Sequence, residues 1–318
     1  MHTEAHTEAV YQTERTSALE LLEAIAGKVK KRTDVVLKQY GKIATPQQTF
    51  PLYTISSIGD FDIAMVLTAG FHGDEICGPL TIMHHLDEIV ETAHQAGVGL
   101  YVYPCVNPSG FDARTRYNHL NQQPNNYALV YLRTDGTWTD DLRSETRFKK
   151  WLWADETSDD SNGNRIVLPD ETTALLRDFR TIPWKIVRAS LDIHQDRFSA
   201  EYGKHCTYAY CFGNKRRYVE IIAELPRDVP ILRHKHIDEG YSQETDDQGN
   251  VVRVHRIPKT NSFGLVERHD GSVTALAHYL GVEHAVALET TTNIPLDKCY
   301  QVNMTWIKGL LRLSSRHQ

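Results

Sequence analysis

Residues 62–75 read DIAMVLTAGFHGDE, and this stretch decides the fold of the chain. Its first eight residues are almost all apolar, as in a strand that is buried on both faces of a sheet. Gly70 breaks the run, and a helical pattern follows at 78–96. A buried strand that leads through a short turn into a helix is the repeating unit of an α/β fold.

The same alternation of strands and helices continues in both directions. We predict strands at 49–55, 62–69, 98–106, 186–193, 207–212 and 285–288, and helices at 17–31, 78–96, 170–180, 213–225, 272–280 and 302–313. Strands alternating with helices of ten or more residues indicate a mixed, mainly parallel sheet with helices on both faces. In such sheets ligands bind beyond the carboxyl ends of the strands.

We expect residues 1–16 to form a polar N-terminal extension and residues 17–318 to form a single domain. Two segments interrupt the regular pattern, near 118–169 and near 236–270, and are interpreted as loop insertions. The first contains a possible helix at 142–153, and the second contains the hairpin-like sequence DDQGN at 246–250.

Composition excludes several classes of protein. The net charge is −6 and no dense run of Lys and Arg is present, which argues against a nucleic-acid partner. The longest apolar runs fall far short of the roughly 18 residues that a membrane helix needs. The sequence gives no prediction of the oligomeric state.

The first residues and the cysteines both favour a cytoplasmic location. Residues 1–16 are polar and lack the basic start and apolar core of a secretory signal. The five cysteines are odd in number and irregularly spaced, which fits buried reduced thiols better than a disulfide framework.

His72 and Glu75 directly follow the buried strand at 62–69, so an imidazole and a carboxylate share one turn. His194 ends a second strand pattern. Two histidines and one glutamate with an open fourth position form the donor set of catalytic zinc sites. Asp192 is a candidate partner for the second ring nitrogen of a metal-bound histidine.

An alternative without a metal site also remains for these residues. The chain has 16 histidines and 41 acidic residues, so a His and a Glu three apart occur easily by chance, mostly as solvated surface pairs. The position of both candidates at strand ends favours a metal site over that alternative.

Glu289 ends the last predicted strand and is followed by three threonines. A carboxylate beside the metal can take a proton from water and pass it to the leaving amine. Taken alone, a glutamate at this position is more typical of a salt bridge or a cap than of a general base.

Four short motifs in a fixed order carry a resemblance: HGDE (72–75), NPSGF (107–111) with TRYN (115–118), LDIH (191–194) and ALET (287–290). The chain resembles the zinc carboxypeptidases of the M14 type and their succinylglutamate desuccinylase and aspartoacylase relatives over about residues 60–295.

The resemblance implies a sheet of about eight strands and one zinc ion held by His72, Glu75 and His194. It also implies that Glu289 is the general base, and that Arg116 in TRYN polarises the scissile carbonyl or holds a substrate carboxylate. Arg114 is the close alternative for that arginine.

The chain departs from the family pattern at 119–122, where HLNQ replaces the usual DLNR. Asn121 matches the family Asn, but Gln122 cannot supply the charge-assisted pairing of an arginine with a substrate carboxylate. Four arginines in predicted loops can substitute and are not ranked by the sequence: Arg133, Arg143, Arg256 and Arg268. Tyr241 is the candidate for the mobile tyrosine of the family.

The leading hypothesis is a zinc metallocarboxypeptidase-like hydrolase that cleaves an amide bond next to a carboxylate in a small peptide. The alternative is an N-acyl amino acid deacylase with the same metal chemistry. A binding module that kept the scaffold without the reaction is a third hypothesis, and the presence of all four site residues argues against it.

Overall fold

The computed structural model describes residues 16–143, 147–156, 167–197, 201–237, 241–245, 251–256 and 259–315. The helices are α1 Ala18–Val29, α2 Cys77–Gln95, α3 Pro108–Ala113, α4 Asp170–Phe179, α5 Val219–Ala223, α6 Val273–Tyr279 and α7 Leu296–Ser315. The strands are β1 Val35–Ala44, β2 Thr49–Ser57, β3 Ala64–Ala69, β4 Gly99–Tyr103, β5 Leu129–Arg133, β6 Trp138–Thr139, β7 Asp141–Arg143, β8 Phe148–Trp153, β9 Val187–Asp196, β10 Thr207–Cys211, β11 Tyr241–Thr245, β12 Val251–Arg256, β13 Leu265–Val266, β14 His269–Asp270 and β15 His284–Thr291.

The central sheet has eight strands in the order β1-β2-β4-β3-β9-β15-β10-β13. The middle strands β4, β3, β9 and β15 run parallel to one another, whereas β1, β2 and β10 pair antiparallel with their inner neighbours. This arrangement confirms the predicted mixed, mainly parallel sheet of about eight strands.

Strand β3 shows why the sheet is covered on both faces. All six of its residues are buried. Met65 and Leu67 pack into a core shared with α1, α2 and α7, while Ala64 and Val66 pack into a second core shared with α4 and α6. Because alternate side chains of a strand point to opposite faces, an unbroken apolar run is what a sheet between two helical layers requires.

Helix α1 begins as its sequence predicts. Ser17 accepts a hydrogen bond from the Glu20 backbone, and the Glu20 side chain accepts one from the Ser17 backbone. This reciprocal pair satisfies two of the backbone N–H groups that a helix start otherwise leaves without a partner.

The prediction of a helix at 142–153 is wrong. Residues 141–143 and 148–153 are the strands β7 and β8, and β8 pairs with β5 in a three-stranded sheet. The segment FKKWLW is short and rich in aromatic residues, and its partner strand lies in another part of the sequence, so periodicity alone could not decide between helix and strand.

Two further points concern strands. The edge strand β1 was not predicted, because most of its residues are exposed or half-buried and its pattern is weak. The DDQGN sequence lies outside the described residues, although β11 and β12 on either side of it pair antiparallel.

Candidate metal centre and active-site cleft

Two of the predicted metal ligands lie in the turn between β3 and α2. The Nδ1 atom of His72 is 2.6 Å from Oε1 of Glu75, and both side chains are almost fully buried. The backbone N–H of Glu75 donates to the His72 carbonyl, which holds the two residues on one turn.

His194 completes the group from strand β9. Its Nδ1 atom is 2.8 Å from Oε2 of Glu75, and its Nε2 atom is 2.8 Å from Oδ2 of Asp192. Asp192 also accepts a hydrogen bond from Thr68 at 2.7 Å. Each ring nitrogen of His194 therefore faces a carboxylate, and a carboxylate can only accept. A metal ion at Nδ1 would leave the ring proton on Nε2, where Asp192 accepts it.

The chemistry of this donor set fits a metal ion. Ligand atoms of His72, Glu75 and His194 all lie within 4.8 Å of one another. The Nδ1 atoms of His72 and His194 lie 2.6 Å and 2.8 Å from the two oxygens of Glu75. A nitrogen and a carboxylate oxygen at these distances need a proton or a metal ion between them. Two imidazoles and one carboxylate suit zinc in particular.

The buried charges of the group shift one another's protonation. Burial alone raises the pKa of Glu75, but His72 and His194 lower it below its usual range. Burial alone lowers the pKa of His194, but Asp192 and Glu75 raise it well above its ordinary value. The site therefore stabilises a carboxylate surrounded by positive charge.

Glu289 lies beside His194, because the two residues are direct partners in the parallel pairing of β15 with β9. Burial, together with the nearby carboxylates of Glu75 and Asp196, raises the pKa of Glu289 well above its ordinary value, while His194 and Arg116 oppose the shift. Its Oε2 atom is buried and has no hydrogen-bond partner among the described residues. A raised pKa brings a carboxyl group closer to the range in which it can both accept and donate a proton.

Arg116 reaches the same place from the loop after α3. Its guanidinium donates to Oε1 of Glu75 at 3.1 Å, and its side chain is 41% exposed. It is thus fixed at one end by the metal group and open to the cleft.

A close backbone contact joins the HGDE and NPSG motifs. A Cβ atom on Gly73 would lie 1.8 Å from the carbonyl carbon of Gly110. A Cβ atom on Gly110 would in turn lie 2.4 Å from the Asn107 side chain. Only glycine lets the two turns approach this closely, so the contact positions the ligand turn against the loop that leads to Arg116.

One cavity of about 260 Å³ is lined by the predicted metal ligands together with Glu289 and Arg116. We call the group of His72, Glu75, His194 and Glu289 the metal wall. We call a second group of lining residues the loop wall, made of Gln123, Asn125, Arg268, Asp270 and Thr274.

The predicted substrate-binding residues do not all reach this cavity. Arg114 donates to the Thr16 carbonyl and covers the Phe111 ring, so it points towards α1. Asn121 is exposed, with a positive φ of 58° in a tight turn. Gln122 is bonded to Asn118 within the same turn. The side chain of Tyr241 lies outside the described part of the structure.

The next residues along the chain line the cavity instead. The Nε2 atom of Gln123 lies 3.2 Å from the Nε2 atom of His72. Asn125 also lines the cavity. Arg268 also lines it, whereas Arg133 donates to the Asp141 carbonyl. The alternation of aromatic residues in β10 was the available signal for Tyr210, which lines the cavity opposite Ala287.

A larger cavity of about 480 Å³ lies elsewhere, lined by residues that include Asp34, Asp60, Asp62 and His94. Within the described ranges, the grouping of His72, Glu75 and His194 is the one that can hold a metal ion. Cavity size therefore does not identify the chemical site.

The five cysteines are buried free thiols, as predicted from their number and spacing. Burial raises the pKa of Cys105 to about 12, which makes it a poor nucleophile. Among the described residues no helix has the length and apolar character needed to cross a membrane.

Solved structures share the fold over nearly the whole chain. A candidate metallopeptidase from Shewanella denitrificans is 19% identical, with a TM-score of 0.64, and the match covers 95% of this chain and 92% of that one. A second candidate metallopeptidase, from Shewanella baltica, is 20% identical, with a TM-score of 0.63 and coverage of 94% and 93%. Bovine thrombin-activatable fibrinolysis inhibitor, solved in complex with tick carboxypeptidase inhibitor, is 13% identical, with a TM-score of 0.55 and coverage of 94% and 96%.

These identities establish a carboxypeptidase-like fold and do not transfer an activity. No curated protein sequence matches the chain. Residues 62–248 match the catalytic domain of succinylglutamate desuccinylase and aspartoacylase, a segment that includes His72, Glu75 and His194 and ends before Glu289. Since this match spans more than half of the sequence, the chain belongs to the succinylglutamate desuccinylase/aspartoacylase family of hydrolases.

Proposed function

We propose that this protein is a zinc-dependent hydrolase that cleaves an amide bond next to a carboxylate in a small substrate. The observation that carries the proposal is the meeting of His72, Glu75 and His194 with Glu289 and Arg116 in one cavity. The residues act within a single domain that spans residues 17–318.

In this proposal His72, Glu75 and His194 hold the metal. Zinc supplies Lewis-acid chemistry, polarising a carbonyl group and acidifying water. Asp192 keeps Nε2 of His194 protonated, so that Nδ1 remains available as a ligand.

Glu289 moves the proton. Its carboxylate takes a proton from the attacking water and donates it to the leaving nitrogen, so the group returns to its starting state after each turnover. Burial makes the protonated form of Glu289 accessible, and Arg116 and the metal favour the ionised form.

Arg116 binds oxygen. A guanidinium stays charged and donates two parallel hydrogen bonds, so it can hold a carboxylate or stabilise the negative charge that develops on the scissile carbonyl. Its contact with Glu75 places it beside the metal group.

A second candidate is an N-acyl amino acid deacylase. The family match and the glutamine at position 122 favour it over an exopeptidase, since the usual arginine clamp for a peptide carboxylate is absent there. The fold similarity to carboxypeptidase-like structures concerns the scaffold and is compatible with both a peptidase and a deacylase.

The test uses the full chain with and without zinc, on N-acetyl and N-succinyl amino acids beside dipeptides. We expect zinc-dependent release of a free amino acid from one of the two substrate classes. Turnover of the acyl amino acids alone assigns a deacylase, and turnover of the dipeptides alone assigns a peptidase. Turnover that persists after chelation, or hydrolysis of neither class, contradicts the proposal.

A further inference from the structure

Arg268 and Asp270 form a charged pair at the loop wall. The pair lies in the second insertion, just before α6, and both residues line the cavity. Nε of Arg268 is 3.6 Å from Oδ2 of Asp270, which is longer than a hydrogen bond. A ligand in the cavity therefore meets a positive and a negative group side by side, and neither of them is fully satisfied by the other.

The surrounding contacts hold the pair in place. The NH2 group of Arg268 donates to Oδ2 of Asp141 at 2.7 Å, and Oδ1 of Asp270 accepts from the Ser272 backbone at 3.1 Å. Asp141 and Asp270 are direct partners in the pairing of β7 with β14. Two carboxylates facing each other repel, and the Arg268 guanidinium between them offsets this repulsion.

Further polar groups at this wall have no partner. Thr274 is 1% exposed, and its hydroxyl has no hydrogen-bond partner among the described residues. The Oδ1 atom of Asn125 is likewise buried without one. Buried polar atoms in a native protein are normally hydrogen-bonded, so exceptions that line a cavity point to a ligand.

The pair shares one cavity with the metal wall. Ala287, two residues before Glu289 in β15, also lines this cavity, and Tyr210 is its direct partner in β10. The methyl side chain of Ala287 leaves room for a substrate side chain to extend from the metal wall to the loop wall.

Charge balance selects the ligand. A lone carboxylate bound to Arg268 would lie beside Asp270, and a lone ammonium bound to Asp270 would lie beside Arg268. A group that carries an ammonium next to a carboxylate matches both residues at once and adds no net charge to the wall.

Resting on the proposed hydrolase function, we infer that the substrate carries a second amino-acid end group, an ammonium and a carboxylate on one carbon. Its carboxylate binds Arg268 and its ammonium binds Asp270. The donors and acceptors of Thr274 and Asn125 complete this subsite.

The test measures binding and does not require turnover. The zinc-loaded full chain is titrated calorimetrically with three linear acids: 2-aminopimelate, pimelate, which lacks the amine, and 6-aminohexanoate, which lacks the carboxylate on the amine-bearing carbon. All three share one simple carboxylate end, so contacts of that end with the metal wall cancel in the comparison. We expect 2-aminopimelate to bind about tenfold or more tightly than either of the others.

Two variants separate the charges. Arg268→Gln is expected to abolish the preference over 6-aminohexanoate, and Asp270→Asn to abolish the preference over pimelate. Asp270→Asn keeps the acceptor for the Ser272 backbone, so it also serves if Arg268→Gln fails to fold. Arg312→Gln, which removes a surface arginine paired with Glu224, is the matched control and leaves the preferences unchanged.

Equal binding of the three linear acids, or binding of none, overturns the inference. An equal loss of all three in both variants also overturns it, because that result assigns the pair a purely structural role. Failure of the proposed hydrolase function would instead appear as absent hydrolysis, whatever the binding preference.

Discussion

The two walls of the cleft are built differently. The metal wall comes from the carboxyl ends of β3, β9 and β15 at the centre of the sheet, and His72, Glu75 and His194 are each at most 4% exposed. Apart from Thr274, which lies in α6, the loop wall comes from two insertions that contain the short strands β7 and β14, and the Arg268 side chain is 31% exposed. The same cavity thus has one side fixed by the core and one side made by segments outside it.

This difference separates chemistry from selectivity. A metal site and a proton carrier need positions accurate to a fraction of an ångström, which packed strands provide. Loops tolerate sequence change and are where binding preferences usually reside. We therefore expect changes in the metal wall to alter the rate or the metal, and changes in the loop wall to alter substrate preference.

The largest effect is expected from Glu289→Gln, which removes the proposed proton carrier but keeps the shape of the side chain. Turnover should fall about 100- to 10,000-fold, because general acid–base catalysis contributes that much. Zinc content should stay near one ion per chain. The matched control is Glu171→Gln, which changes another buried glutamate, one that lies outside the cavity and bonds to Asn118. Retained turnover in Glu289→Gln would remove Glu289 from the metal wall's chemistry.

Gly73→Ala tests whether the metal wall depends on the contact between the two motifs. The added methyl group would overlap the Gly110 backbone, so we expect the free energy of unfolding in urea to fall by about 3 kcal/mol or more. Gly27→Ala is the control, because a Cβ there meets nothing within 4 Å in helix α1. It should stabilise the protein by about 0.5–1 kcal/mol. Similar stabilities for the two variants would contradict the close approach.

Asp192→Asn weakens the support behind a ligand without removing the ligand. The amide cannot hold the His194 imidazole as the carboxylate does, and we expect about 10- to 100-fold weaker zinc binding in competition with a chelator. Asp178→Asn changes a buried aspartate bonded to Lys38 and Tyr103, away from the cavity, and should affect stability only. An unchanged zinc affinity in Asp192→Asn would show that the Asp192 carboxylate is not needed to orient His194.

The smallest effect is expected behind the loop wall, at His278, whose ring stacks on Phe212 with centroids 4.2 Å apart. Burial, and next His269, lower the pKa of His278. Because the folded-state pKa is the lower one, the unfolded chain binds more protons than the folded chain below about pH 6.5. The neutral His278 therefore makes the free energy of unfolding decrease as the pH falls from about 6.5 towards the folded-state pKa. Free energies of unfolding at about pH 7.5 and about pH 5.5 should show a smaller acid loss in His278→Gln than in the unmodified chain. An equal or larger loss in the variant would be the contrary result.

The sequence by itself determined the inner strands of the central sheet and the place of the metal wall. A strand buried on both faces is a continuous apolar run, so a histidine or carboxylate at its end stands out and has no role in the core. That is why His72, Glu75, His194 and Glu289 could be placed at one edge before any contact was known.

Only the tertiary structure decided the loop wall. The choice of Arg116 over Arg114 depends on a turn in which Arg114 adopts a positive φ of 54° and points away towards α1. The strands at 141–143 and 148–153, the approach of Gly73 to Gly110 and the pairing of Arg268 with Asp270 all join residues that are distant in sequence. Local patterns record burial and backbone preference, whereas contacts of this kind exist only once the chain has packed, and so no local pattern could predict them.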